Sequence, residues 1–229
     1  MPQLHPYKAA ILLYPGVDIL DFASPLEILS HVNNTTPTPQ ITLKTIARTT
    51  ITAGTTTLTI TPDLLLDDAL PTLQDYDILI VPGAGPPVTD ALLAQDPIAP
   101  EIDLVRRFAA LPPKDGARVP RTLFSVCTGA LLLGKAGVLK GVTVTTHYTA
   151  LEELRGVCRG ANGEGAVEPV VVHRLYVDGG LIGEDRNVRL ITAGGITSGL
   201  EASFFLVKEV FGEGVRDEVC QVMEYRLRV

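Results

Sequence analysis

The stretch Thr122-Leu-Phe-Ser-Val-Cys127-Thr128-Gly129-Ala-Leu-Leu-Leu-Gly134 decides how this chain folds. Leu123 to Val126 is an apolar, β-prone run that stops at a cysteine, and a helix-like segment, Ala130 to Lys135, follows at once. Small residues, Ser125 and Gly129, stand two positions on either side of Cys127. Small–x–nucleophile–x–small between a strand and a helix is the pattern of a nucleophile elbow, a turn too tight for bulky neighbours. It lifts the side chain off the sheet edge and aims it at the free amides of the helix N-terminus. Those amides and the helix dipole favour a thiolate, which predicts a lowered pKa for Cys127. A buried structural cysteine is the plain alternative, and the position at a strand–helix junction argues against it.

Working outward, Lys8 to Tyr14 and Tyr76 to Val81 read as buried strands, and Val188 to Thr192 as a further strand. Gln40 to Ala47 alternates as a strand does, and Thr-rich Thr49 to Thr61, broken at Gly54, reads as a β-hairpin. Helical spacing runs from Asp18 to Val32, Val88 to Ala94, Ile98 to Leu111, Thr149 to Arg155, Ile196 to Phe211 and Val215 to Leu227. Asn33 to Pro39 and Pro112 to Pro120 read as loops, and Gly156 to Gly165 as a glycine-rich connection. Val142 to Thr146 is a short strand ending at His147, and Val170 to Val177 is another, joined to Val188 to Thr192 through Asp178-Gly179-Gly180. Strands alternating with helices predict an α/β fold with a mostly parallel sheet covered on both faces. No repeat or linker divides residues 1–229, so one domain is expected.

Bulk composition narrows the function. A formal charge of −7 supplies no basic stripe for a phosphate backbone, so no nucleic-acid partner is expected. Hydrophobic residues make up 46% of the chain, too many for a disordered one. Cys127, Cys158 and Cys220 are odd in number and match neither a disulfide framework nor a zinc spacing. Met1 to Lys8 has no apolar leader core, and Ala9 to Tyr14 is too short to span a bilayer. A cytoplasmic protein without a membrane partner is the expectation.

In an open α/β sheet, ligands sit beyond the carboxyl ends of the strands. One strand delivers the segment with Asp18 and Asp21 to that edge, a second Gly83-Ala84-Gly85, and the third Cys127-Thr128. A thiol, a carboxyl group and exposed backbone amides form a kit for adding a nucleophile to an electrophilic carbon. Each part also has a structural reading. Asp21 can favour its helix N-terminus through the dipole, Thr128 can cap the helix after the elbow, and His147 can be an ordinary surface histidine. The glycine loop matches neither the dinucleotide fingerprint nor the P-loop. His5, His31, His147 and His173 form no metal spacing, so neither a metal nor another cofactor is expected.

Seven segments together resemble the ThiJ/PfpI superfamily: Leu12 to Gly16, Leu20 to Glu27, Ile80 to Gly85, Ser125 to Gly129, Leu139 to Gly141, Val144 to His147 and Ala193 to Gly199. The resemblance covers nearly the whole chain. It implies a flavodoxin-like, class I glutamine amidotransferase-like three-layer sandwich and a homodimer pairing beside the nucleophile. In the first helix, Phe22, Leu26 and Leu29 would supply an apolar face for such a partner or for the chain's own core.

The pattern is most similar to the isocyanide hydratase branch. That branch implies Cys127 as nucleophile, Asp21 as catalytic acid–base and Thr128 as the group positioning water or adduct. The amides of Gly83, Ala84 and Gly85, with His147, would face a small-molecule substrate. The implied reaction is hydration of an isocyanide to an N-substituted formamide. Glyoxalase- or deglycase-like chemistry on reactive aldehydes and a non-enzymatic cysteine redox sensor are the rival readings. AraC-type regulators begin with the same domain but continue into a basic helix-turn-helix, a segment not found up to Val229.

Four departures stand out, one being Pro86 and Pro87, which remove two N–H donors and narrow any oxyanion hole to Gly83, Ala84 and Gly85. Ser24-Pro25 replaces the family's Gly-Pro, and residues from Glu184 to Arg189 lengthen a hairpin. Ala84 replaces the second glycine of Pro-Gly-Gly, where a positive φ would strain it.

Overall fold

The computed structural model describes residues 6–114, 119–163 and 165–228. His5, most of the segment Met1 to Lys8, residues 115–118 of the loop from Pro112 to Pro120, and residue 164 of the glycine-rich stretch lie outside the described residues. The strands are β1 (Tyr7–Leu12), β2 (Ile41–Ala47), β3 (Ile51–Thr52), β4 (Thr59–Ile60), β5 (Leu64–Leu65), β6 (Ile78–Val81), β7 (Arg121–Ser125), β8 (Thr143–Val144), β9 (Val170–Val171), β10 (Tyr176–Ile182) and β11 (Val188–Ala193). The α-helices are α1 (Ile19–His31), α2 (Leu66–Ala69), α3 (Pro86–Leu93), α4 (Pro100–Ala109), α5 (Gly129–Lys135), α6 (Leu151–Asn162), α7 (Ser198–Phe211) and α8 (Glu213–Val222).

One sheet organises these elements in the order β10-β11-β7-β6-β1-β2-β5. Every pairing in it is parallel except β10 with β11 at the edge. Its central strands bury both faces: every residue of β6 and β7 is buried, as are Ala9 to Leu12 of β1. This explains why these strands read as continuous apolar runs rather than alternations. Helices α1, α7 and α8 pack together as one layer, and α3, α4, α5 and α6 as another. The result is a three-layer α/β sandwich.

The chain steps from β1 to β2 on one side, then returns to lay β6 on the other side of β1. The carboxyl ends of β1, β6 and β7 therefore meet beside a reversal of strand order, where open α/β sheets form their ligand crevice. The Thr-rich hairpin braces this end, since Gly16 N–H donates to Thr52 O and Gly54 N–H to Val17 O, both at 2.8 Å.

Two local expectations change. The glycine-rich segment from Gly156 is not a connection, because α6 continues through it to Asn162. A Cβ placed at Gly156 or Gly160 would meet no atom of the described residues within 4 Å, whereas Leu154 and Cys158 are fully buried, so the packed face carries the helix past its glycines. Asp178-Gly179-Gly180 does not join the two strands either: β10 runs through it, and the register shifts between Asp178 and Gly180, where Gly180 takes φ +76°. The run Val170 to Val177 is divided, its start pairing with β8 and its end entering the main sheet. Among the described residues no helix is long and apolar enough to cross a membrane.

Candidate active site

Cys127 follows β7 with φ +57°, a left-handed conformation rare outside glycine. The conformation is held from three sides. Cys127 N–H donates to Ala193 O at 3.1 Å and Gly194 O at 2.9 Å, while Thr146 Oγ1 donates to Cys127 O at 2.9 Å. Gly129 begins α5 so close to the neighbouring strand that a Cβ there would lie 2.2 Å from Val81 O. The need for a small residue two positions after the cysteine is thus a matter of backbone contact.

Asp21 sits in the first turn of α1 and is fully buried. Its Oδ2 accepts from Gly83 N–H at 3.1 Å, and its Oδ1 is buried without a hydrogen-bond partner among the described residues. Ligand atoms of Asp18, Asp21 and Cys127 lie within 4.8 Å of one another. Burial, then the Asp18 charge, pushes the Asp21 carboxyl up to about 7, although the Gly83 amide and the Cys127 thiol pull it part of the way back. The same crowding acts on the cysteine. Burial and the Asp21 carboxylate push the thiol up to about 12, outweighing the amides of Thr128 and Ile196 that hydrogen-bond towards it.

The lowered thiol pKa expected from the helix N-terminus is therefore overturned. The amides are present, but Cys127 is only 4% exposed and faces two carboxyl groups. Desolvation and like charge together exceed a helix-end contribution of roughly 1 kcal/mol. The amide N–H groups of Thr128 and Ile196 hydrogen-bond towards Sγ, and that of Gly83 donates to Asp21 Oδ2.

Thr128 is the N-cap of α5 but makes no side-chain capping bond. Its Oγ1 accepts from Ala84 N–H at 2.9 Å and donates to Ala84 O at 2.8 Å. The elbow is thereby stitched to the loop after β6. Gly83 is pressed into the same junction, where a Cβ would lie 2.5 Å from Thr128 Oγ1 and 3.0 Å from Asp21 Oδ2.

These contacts correct a second expectation. Gly83, Ala84 and Gly85 do not present three free amides to a substrate, because Gly83 N–H is engaged by Asp21 and Ala84 N–H by Thr128. Gly85 is the N-cap of α3, followed by the two prolines of its first turn. Ala84 is not among the positive-φ residues, and it bridges to Val17, so the alanine is unstrained. The donors that do face the sulfur come from Thr128 and Ile196. The motif Ala193 to Gly199 pointed to that turn, but no sequence signal marked the Ile196 amide.

His147 stands at the rim. Its Nδ1 lies 2.7 Å from Thr149 Oγ1 and accepts from Thr149 N–H, and Gly195 packs so close that a Cβ there would lie 2.8 Å from the imidazole. His147 lies outside the close Asp18–Asp21–Cys127 cluster. With Tyr148, Leu175 and the turn from Gly194 to Ser198 it lines a cleft of about 820 Å³. Of its lining residues Tyr148, Leu175 and Ile196 are exposed apolar side chains, beside the polar Thr146, His173, Arg174 and Thr197. The face of α1 offered for a partner is used within the chain, since Phe22 and Leu29 are buried and Leu26 packs on the same core. Cys158 is fully buried and Cys220 half-buried, both remote in sequence from this cluster.

A family model described as DJ-1/PfpI family matches residues 7–208. Isonitrile hydratase of Pseudomonas putida is 30% identical over 223 residues, covering 95% of this chain and 78% of that protein. Among solved structures, a ThiJ/PfpI family protein from Pseudomonas syringae superposes with a TM-score of 0.72 at 23% identity, over 100% of this chain and 78% of the other. Drosophila melanogaster DJ-1beta superposes at 0.68 and 18% identity, over 97% and 100%. At those identities the likeness is one of fold, which is flavodoxin-like.

Proposed function

The chain belongs to the DJ-1/PfpI family, and from that premise we propose that it is a cofactor-independent lyase that hydrates isocyanides to N-substituted formamides through Cys127. What carries the reading is the pairing of a nearly buried thiol on a left-handed turn with a fully buried carboxyl group that burial and the Asp18 charge push up to about 7. The 30% identity to an isonitrile hydratase supports an enzyme of this class.

A thiol that keeps its proton suits this substrate. The terminal carbon of an isocyanide accepts a nucleophile and must also gain a proton. Cys127 Sγ bonds to that carbon while its proton passes through Asp21 to the same carbon, giving a thioimidate, R–N=CH–S–Cys127. Water then adds to the C=N carbon: its oxygen bonds to carbon, one of its protons leaves to a carboxylate, and the nitrogen takes up a proton. Breaking the C–S bond returns the electron pair and a proton to sulfur and releases R–NH–CHO. An acid of pKa near 7 can both give and take protons in this sequence. The amides of Thr128 and Ile196 stabilise negative charge on sulfur as it departs. Thr128 holds the elbow against Ala84, and the cleft beside His147 receives the R group.

The test is formamide production from a small alkyl isocyanide by the wild-type chain and by Cys127→Ala, with methylglyoxal as a parallel substrate. Formamide from the wild type alone supports the reading. Turnover retained in Cys127→Ala, or consumption of methylglyoxal in place of the isocyanide, refutes it. Residues 1–229 act as one domain in this proposal. A cytoplasmic homodimer belongs to it too, supported by Leu20, 39% exposed on α1 next to Asp21. A monomer by light scattering at micromolar concentration, fully active, would remove the dimer.

A further inference from the structure

We propose that Asp18 is a second acid–base residue of this site, paired with Asp21 so that one carboxyl group gives a proton while the other takes one. The inference rests on the hydratase reading and extends it to a residue that neither the elbow pattern nor the family motif singles out.

Asp18 is the N-cap residue of α1, a position where aspartate ordinarily accepts from the amides of the first turn. Here its side chain makes no capping bond, and a carboxylate oxygen lies within 4.8 Å of both Asp21 and Cys127. The second observation is Asp21 Oδ1, an acceptor without a hydrogen-bond partner among the described residues, on a fully buried side chain in the same cluster. Asp21 is fully buried, whereas Asp18 is half-buried. The titratable groups around Asp18 are Asp21 from its own helix, Cys127 from the elbow, Tyr14 beyond β1 and His147 at the cleft. Three acidic groups this close do not all ionise at neutral pH, so the cluster retains a shareable proton.

Hydration of a thioimidate needs such a pair. As water oxygen bonds to carbon, one carboxylate accepts the water proton, and the C=N electron pair takes a proton to nitrogen from the other carboxyl group. When the C–S bond breaks, the first carboxyl group returns its proton to sulfur and the second regains one from the hydroxyl. Neither group has a net change over the cycle, and no other reactant enters.

Asp18→Asn and Asp18→Glu separate this role from a structural one. Asp18→Asn should lower kcat for the isocyanide by roughly 10²-fold with little change in KM, and Asp18→Glu should recover most of it. Independently of turnover, alkylation of Cys127 by iodoacetamide, followed by peptide mass spectrometry, should reach its half-maximal rate at lower pH in Asp18→Asn. Wild-type kcat in Asp18→Asn overturns the proposal, as does an unmoved alkylation midpoint. A wild-type chain without isocyanide turnover refutes the hydratase reading instead, and the alkylation shift then decides whether Asp18 and Cys127 are coupled.

Discussion

Thr128 and Ala84 are joined twice, the threonine hydroxyl accepting the Ala84 amide at 2.9 Å and donating to the Ala84 carbonyl at 2.8 Å. This pair of bonds sets the elbow against the loop that also holds Asp21 through Gly83. Thr128→Val keeps the shape and removes both bonds, leaving a buried donor and acceptor unpaired. Unfolding in urea should show a loss of about 1–3 kcal/mol, with Thr128→Ser close to the wild type. Equal stability of the valine and serine variants would show that the stitch carries no weight.

Asp21 makes stability depend on pH with a defined sign. Its folded pKa of about 7 exceeds the ordinary 3.8, so the folded chain retains a proton that the unfolded chain releases. The stabilisation is complete below about pH 4 and is lost as pH rises through 7. Asp21→Asn cannot ionise, so its unfolding free energy in urea should exceed that of the wild type at about pH 8 by up to roughly 4 kcal/mol, and the gap should narrow near pH 5. A gap independent of pH contradicts the raised carboxyl group. The same variant should lose roughly 10²–10⁴-fold in turnover.

Cys127 should react slowly with iodoacetamide at neutral pH, because its thiol is pushed up to about 12 by burial and by Asp21. Peptide mapping distinguishes it from Cys158 and Cys220. In Asp21→Asn the midpoint of the alkylation curve should fall, since the charge opposing the thiolate is gone. Rapid alkylation of the wild-type residue at about pH 7 would reinstate the lowered pKa that the helix N-terminus alone predicts.

Gly129 and Gly160 form a contrasting pair. A Cβ at Gly129 meets Val81 O at 2.2 Å, and that backbone belongs to a fully buried strand. Gly129→Ala should cost about 1–3 kcal/mol and displace the elbow, reducing turnover with it. Gly160→Ala points into open space on α6 and should stabilise by about 0.5–1 kcal/mol. Calorimetry on the two variants reads both, and the same sign for both would be inconsistent with the packing described.

Local pattern was enough for much of this protein. The apolar runs that became β1, β6, β7 and β11, the helical spacing after each, and the small residues around Cys127 all depend on period and steric size, which are written in consecutive residues. So does the left-handed turn at Cys127, because a strand that must become a helix within two residues has few conformations available. The length of α6 was not legible. Gly156 and Gly160 weaken a helix locally, and only the packing of Leu154 and Cys158 reveals that the core offsets them.

The sequence brought a thiol, a carboxyl group and amides to one sheet edge, but how closely they stand and how far they are buried belonged to the tertiary structure. From the sequence, Cys127 has a helix N-terminus and a nearby glycine loop, both of which favour an anion. The fold adds what linear order hides. It buries the thiol to 4% exposure, gathers Asp18 and Asp21 within 4.8 Å of it, and engages the Gly83 and Ala84 amides elsewhere. Sequence alone determined that a cysteine would stand at the sheet's carboxyl edge. Which groups share its proton was decided by residues 106 and 109 positions away, because desolvation and Coulomb terms depend on distance in space and not along the chain.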